Sequence, residues 1–248
     1  MLAFGDVHFP QQNPIAVEVF CRVAEIIKPD LIVCTGDLLD CGQFSSHPPT
    51  FGSPDTDYED DLAAANAMLD RLQAVCDRMA VVEGNHEHRL DRWAAKTTEG
   101  RGAYSMLAPR IQLSRGRKQF SYIPYSQAGG QFPHYKINSR IRAVHGWSYA
   151  IHATKAHLKK SQGKSIIHGH THRKDDCAEQ DLWGRGGIIE ARSTCCLCNL
   201  VPLYGVGSPV TWVNGFILGY LGTHDDSLYT VPIKRDRCIL PDGTEVTA

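Results

Sequence analysis

Three short runs, "LAFG" at 2–5, "LIVCTG" at 31–36 and "MAVVEG" at 79–84, are apolar almost throughout, and each ends in glycine. A strand with one wet face alternates apolar and polar residues. An unbroken apolar run of this length is the pattern of a strand buried on both faces. Helical patterns separate the three runs. Residues 13–29 place Ile15, Val19, Val23, Ile26 and Ile27 at helical spacing and stop at Pro29; residues 58–76 form the second helix. The order β-α-β-α-β predicts a sheet with helices packed on it.

The rest of the chain is less regular. "FSYIPY", "RIRAVHG" and "KSIIHG" (164–169) read as strands, and residues 149–163 as a helix stopped by Gly163. From about residue 174 the chain is rich in glycine, proline and β-branched residues, which predicts strands and turns forming a second sheet. No linker interrupts the sequence, so residues 1–248 are expected to form a single domain, a two-sheet α/β sandwich.

The chain is 42% hydrophobic and 21% charged with a formal net charge of -1, so no global field draws it to nucleic acid or a membrane. No apolar stretch has the length of a membrane span, and no signal peptide is visible. Nine cysteines, odd in number and scattered, fit a reducing compartment, hence a cytoplasmic protein. "CCLC" at 195–198 lacks the second C-x-x-C half of a zinc site. It reads as buried structural thiols, with a metal or redox role as the alternative.

Each strand is followed by polar residues that can bind metal. The clusters are "GDVH" at 5–8, "GDLLD" at 36–40, "GNHEHR" at 84–89, "HG" at 145–146 and "HGHTH" at 168–172. Ligands of α/β sheets bind beyond the carboxyl ends of strands, so five segments deliver Asp, His and Asn to one edge. Such oxygen and imidazole groups suit divalent ions. Taken singly, they also read as turn formers and surface histidines.

In this order the blocks resemble the calcineurin-like metallophosphoesterase superfamily. The resemblance implies a four-layer α/β/β/α sandwich of two mixed sheets with a binuclear metal site at the strand ends. Carried over residue by residue, it implies that Asp6, His8, Asp37 and His172 hold one ion. Asp37, Asn85, His145 and His170 hold the other, so that Asp37 bridges the two. His86 then faces the substrate as general acid or as an electrostatic stabiliser, and Asp40 orients it. Arg89 and His47 are the candidate substrate contacts. The cofactors implied are two divalent ions, manganese first, with iron, zinc, cobalt or nickel as alternatives. "VHGW", the helix before "HGHTHR" and "CCLCNL" are similar to metallophosphoesterases of phages and prophages.

The implied activity is metal-dependent phosphoester hydrolysis by a metal-bridging hydroxide. Protein serine/threonine phosphatases of the superfamily read G-D-x-x-D-R-G; here Cys41 stands where their arginine grips the phosphate dianion. That departure leans toward phosphodiesters, with DNA or RNA as the expected partner class. Arginines and lysines in residues 110–118 and 136–142, and Lys155, Lys159, Lys160, Lys164, Arg173 and Lys174, are either a basic flank or solvated surface. A phosphomonoesterase and an inactive binding scaffold of the same fold remain the alternatives.

Overall fold

A computed structural model describes residues 1–46, 57–126, 132–181, 187–201 and 210–248. The three apolar runs form β1 (Leu2–Phe4), β2 (Ile32–Cys34) and β3 (Met79–Val82). They are parallel neighbours, with Leu2 beside Ile32 and Ile32 beside Met79. β4 (Phe120–Ile123) continues the sheet in parallel beyond β3. β10 (Gly215–Leu221) and β11 (Asp226–Pro232) extend it antiparallel on the other side, giving the order β11-β10-β1-β2-β3-β4. The second sheet contains β5 (Tyr135–Lys136), β6 (Ile141–Val144), β7 (Ser165–His168), β8 (Asp176–Gln180) and β9 (Ile188–Ser193), in the order β5-β6-β7-β9-β8.

Alternation along the strands explains why the runs are apolar throughout. Leu2, Phe4, Ile32, Cys34, Met79 and Val81 face one way and pack with residues of α1 (Pro14–Ile27) and α2 (Tyr58–Gln73). Ala3, Leu31, Val33, Ala80 and Val82 face the other way and meet Ile141, Ala143 and Ile167 of the second sheet. On that sheet's far side, Val144, Ile166 and Ala191 pack against Leu158 of α6 (Ala153–Lys159). Three apolar interfaces thus separate four layers, α/β/β/α. Among the described residues, no helix is long and apolar enough to cross a membrane.

Local chemistry fixes the first helix. The Asn13 side chain accepts from the backbone N–H groups of Ile15 and Ala16, Pro14 occupies the first turn, and Lys28 ends the helix in a left-handed conformation.

The structure corrects two expectations. The residues after 174 do not make a sheet of their own. β8 and β9 join the second sheet, β10 and β11 complete the first, and β12 (Arg237–Ile239) and β13 (Glu245–Thr247) form a separate pair. The reason lies in β10, where Phe216 and Leu218 enter the helix-side core while Ile217 enters the inter-sheet core. The helix expected over 149–163 spans only Ala153–Lys159, because Tyr149 and Ile151 are left exposed in the approach to it. Residues after the third cluster form α3 (His88–Lys96), α4 (Thr98–Leu107) and α5 (Pro109–Gln112). Thr97 separates the first two and caps α4 by accepting from the Gly100 N–H. Two of the basic residues also have structural partners. Arg117 bonds Asp70 and the Asn66 carbonyl, and Arg140 bonds Asp226.

Asp61 in α2 is a buried liability. One carboxylate oxygen accepts from Gln43, and the other has no partner among the described residues. Burial pushes its carboxyl up from the ordinary 3.8 to about 6. Between those values the folded state keeps a proton that the unfolded chain releases, so stability falls as pH rises through the window. Asp61→Asn is expected to remove that slope and stabilise the protein at pH 8 by roughly 1–3 kcal/mol. Urea midpoints at pH 5 and pH 8 check this; an unchanged midpoint at pH 8 rejects it.

Candidate metal centre

The five clusters meet where the carboxyl ends of the two sheets face each other. Asp6 and His8 follow β1, Asp37 follows β2, Asn85 follows β3, His145 follows β6, and His170 and His172 follow β7. Five of these seven residues have a left-handed backbone: Asp6 (φ 52°), His8 (54°), Asp37 (51°), His170 (72°) and His172 (57°). Non-glycine residues rarely adopt it, and clusters of such residues mark sites where position is set by function. Close packing adds a further demand. A Cβ on Gly84 would lie 2.0 Å from Asp37 Oδ1, so only glycine lets the third loop reach the second.

The side chains fall into two groups. In the first, His172 Nε2 lies 3.2 Å from His8 Nε2 and 3.1 Å from Asp6 Oδ1. In the second, His145 Nε2 lies 2.9 Å from Asn85 Oδ1, 3.0 Å from His170 Nδ1 and 3.3 Å from Asp37 Oδ2. Asp37 Oδ2 is also 3.8 Å from His8 Nε2, so a single oxygen faces both groups. Ligand atoms held about 2.1 Å from one ion, at right angles, stand about 3.0 Å apart. The observed spacings match that edge.

Outer contacts set which nitrogen faces inward. His145 Nδ1–H donates to the Thr35 carbonyl at 2.9 Å, leaving Nε2 as a lone pair. His8 Nδ1 lies 3.3 Å from Asp40 Oδ1, and His172 Nδ1 lies 3.7 Å from Cys198 Sγ. Lone pairs of nitrogen and oxygen converging at about 3 Å repel unless a cation sits among them, so the donor set fits divalent ions. The field is consistent with this. Burial lowers the proton affinity of His145 and His172, yet Asp37 raises the first to about 9 and Asp6 raises the second to about 10.

His86 stands beside both groups. Its backbone N–H donates to Asp37 Oδ1, and its Nδ1–H donates to Asp40 Oδ1 at 2.9 Å. Asp40 therefore takes two imidazoles on one oxygen. The other ring nitrogen of His86, Nε2, accepts from Arg89 Nη2 at 3.1 Å, and Arg89 Nη1 donates to the Asp40 carbonyl at 2.8 Å. Burial, with His8 and Arg89 nearby, holds the His86 ring below its ordinary proton affinity, against the pull of Asp37 and Asp40. Arg89, read from the sequence as a substrate contact, braces His86 in this structure. His47 lies outside the described residues.

The sequence profile of the calcineurin-like phosphoesterase family matches residues 1–174. The chain belongs to that family. Metal-dependent phosphoester hydrolysis is accordingly its general chemistry. Solved structures similar to this calcineurin-like phosphoesterase include a single-substitution variant of Vps29 from Entamoeba histolytica. It shows 16% identity over 98% of this chain and 94% of that one, with a TM-score of 0.47. Vps29 from Chaetomium thermophilum shows 15% identity over 100% and 92%, with a TM-score of 0.42. YfcE, a phosphoesterase from E. coli, shows 14% identity over 100% and 96%, with a TM-score of 0.41. Comparison with curated proteins gives no match.

Three residues of this calcineurin-like site have partners that the sequence did not assign. Glu87, fully buried, accepts from the backbone N–H groups of Asp37, Leu39 and Gly84 and so ties the second and third loops together. The "GNHE" block contains it, but an acidic residue before a helix also reads as an ordinary helix-end charge. Cys198 supports His172 from "CCLC", whose Leu197 N–H donates to the Asp6 carbonyl. All three cysteines of that segment are buried. The third, Thr154, bonds His168 Nε2 at 2.9 Å and fixes that buried ring behind the loop of His170 and His172. Cys41 is buried in the helix-side core.

Proposed function

We propose that this protein is a phosphodiesterase acting on nucleic acid, with two divalent ions, manganese first, held by the two groups. Asp6, His8, His172 and Asp37 hold one, and Asp37, Asn85, His145 and His170 hold the other. The observation that carries the reading is the convergence of their lone pairs on two points that share Asp37 Oδ2. When bound, such ions neutralise phosphate charge and acidify water. Once Arg89 releases Nε2, that nitrogen takes up a proton from solvent and His86 gives it to the leaving oxygen, while its Nδ1–H stays on Asp40. Asp40 thus holds the ring in one orientation throughout. Arg89 must release Nε2 for that transfer and is then beside the phosphate, which makes it a substrate contact of the same site.

Two features favour a diester. Cys41, in the position of the phosphatases' arginine, is a thiol buried in the helix-side core and offers no cation to the phosphate. Arg89 keeps Nη1 on the Asp40 carbonyl, which leaves only part of its guanidinium for a phosphate. A singly charged diester needs a weaker guanidinium clamp than a dianion does. The free thiols of all nine cysteines agree with a reducing, cytoplasmic setting. With Mn²⁺, bis-p-nitrophenyl phosphate is expected to be hydrolysed with a higher kcat/KM than p-nitrophenyl phosphate. A monoester preference rejects the diester reading. Absence of hydrolysis with any divalent metal rejects the enzyme reading. Binding to DNA or RNA is expected to fall steeply with salt, through counterion release.

A further inference from the structure

The centre opens into a pocket of about 410 Å³ whose walls include two aromatic residues that the metal chemistry does not use, Tyr149 and Trp212. Each stands against one histidine of the "HGHTH" loop. The Tyr149 ring centroid lies 4.0 Å from that of His170, with the planes at 44°. The Trp212 ring lies 4.3 Å from that of His172, with the planes at 65°. His170 and His172 are separated by Thr171 alone, so the two aromatics flank the loop that serves both groups of candidate ligands.

Tyr149 is 71% exposed, yet its backbone is anchored. Arg173, which also lines the pocket, donates to the carbonyls of Tyr149 and Ala150. A large ring left in water beside a polar centre forgoes the stabilisation of burial. Its position is accounted for if a flat apolar partner completes the wall. Inorganic phosphate offers no such face and ribose phosphate only a small puckered one, whereas every nucleobase offers a broad flat one, and stacking on an aromatic side chain contributes about 1–3 kcal/mol per base. A pocket of this size is within the range of small-molecule sites, about 300–1,000 Å³.

We propose that Tyr149 and Trp212 form a stacking subsite for a nucleobase on the nucleotide that carries the scissile phosphate. This rests on the phosphodiesterase reading and specifies its substrate as nucleotidyl rather than a sugar or lipid diester. The subsite is sequence-tolerant, because it recognises the face of the base and not its edges.

The test compares AMP with ribose 5-phosphate, which share the phosphate and the sugar and differ in the base. Isothermal titration of the Mn²⁺-loaded protein should give AMP a dissociation constant at least tenfold lower. Tyr149→Ala and Trp212→Ala should each bring that ratio toward one, and Tyr149→Phe, which keeps the ring, should preserve it. Equal affinity of the wild-type protein for the two probes overturns the subsite without recourse to any variant. A ratio that persists in both alanine variants also overturns it, because the base is then recognised elsewhere. Hydrolysis of bis-p-nitrophenyl phosphate, measured alongside, judges the diesterase reading separately. If that hydrolysis is absent while the AMP preference holds, the parent reading fails and the nucleotide site stands.

Discussion

Asp37→Asn is expected to lower the metal content at both positions at once. Asp37 is 2% exposed, and its Oδ2 is the one atom that faces His145 in one group and His8 in the other. Its Oδ1 already accepts the His86 N–H at 2.9 Å. An asparagine would keep its oxygen on that N–H and turn its NH2 inward, where a donor cannot ligate a cation. The variant would lose a charge and a shared ligand in one step. The effect should exceed the 10–100-fold loss of affinity typical of removing an outer partner. Elemental analysis after Mn²⁺ loading and gel filtration should find close to two ions per wild-type chain and less than one in the variant. Asn85→Ala should deplete one position only, because Asn85 Oδ1 approaches the second group alone. Retention of both ions by Asp37→Asn would show that the carboxylate is not shared.

The second large effect is on rate, with the metal retained. His86→Ala should lower kcat on a diester by roughly 10²–10⁴-fold, the usual contribution of a positioned proton donor. Its ring bonds Asp40 and Arg89, and its Nε2 stands 3.9 Å from Asp37 Oδ2 at the edge of the centre. Metal content should stay near that of the wild type. The loss should be smaller for a diester whose leaving group is already a weak base, such as p-nitrophenolate, than for an alkyl leaving group. Equal losses on both substrates would assign His86 to binding, and parallel loss of metal would assign it to the centre's structure.

The sequence made the inner sheet strands and the metal-capable loops legible for the same reason. A run such as Leu31–Cys34 is apolar on both alternations because Ile32 and Cys34 meet helices while Leu31 and Val33 meet the other sheet. A strand buried on both faces can carry polar chemistry only past its end, and Asp37 appears there. The partners across the fold were illegible. Glu87 acts on Asp37 and Leu39, some fifty residues earlier, through backbone groups that leave no mark in the residue pattern. Cys198 meets His172 only because the segment after β9 folds back onto Asp6. β10 was placed with the wrong sheet because its pattern reports two-sided burial and not the identity of the neighbour. Tyr149 was read as the start of a helix because its side chain follows no period that distinguishes a helix from the loop before it.

The left-handed backbones at Asp6, His8, Asp37, His170 and His172 have an evolutionary consequence. Such a conformation costs an L-residue on the order of 1–2 kcal/mol, and glycine almost nothing. At all five positions glycine would relieve the backbone strain, at the cost of the side-chain contacts that hold the site together. The strain summed over five residues rivals the 5–15 kcal/mol by which a typical domain is folded at all. A lineage released from the need for the reaction would gain stability by drifting toward glycine at these positions, and a stability-driven redesign would erase the same residues first. Mixed populations of variants grown without selection for activity should thus accumulate glycine here sooner than in the β1, β2 or β7 strands that lead to them.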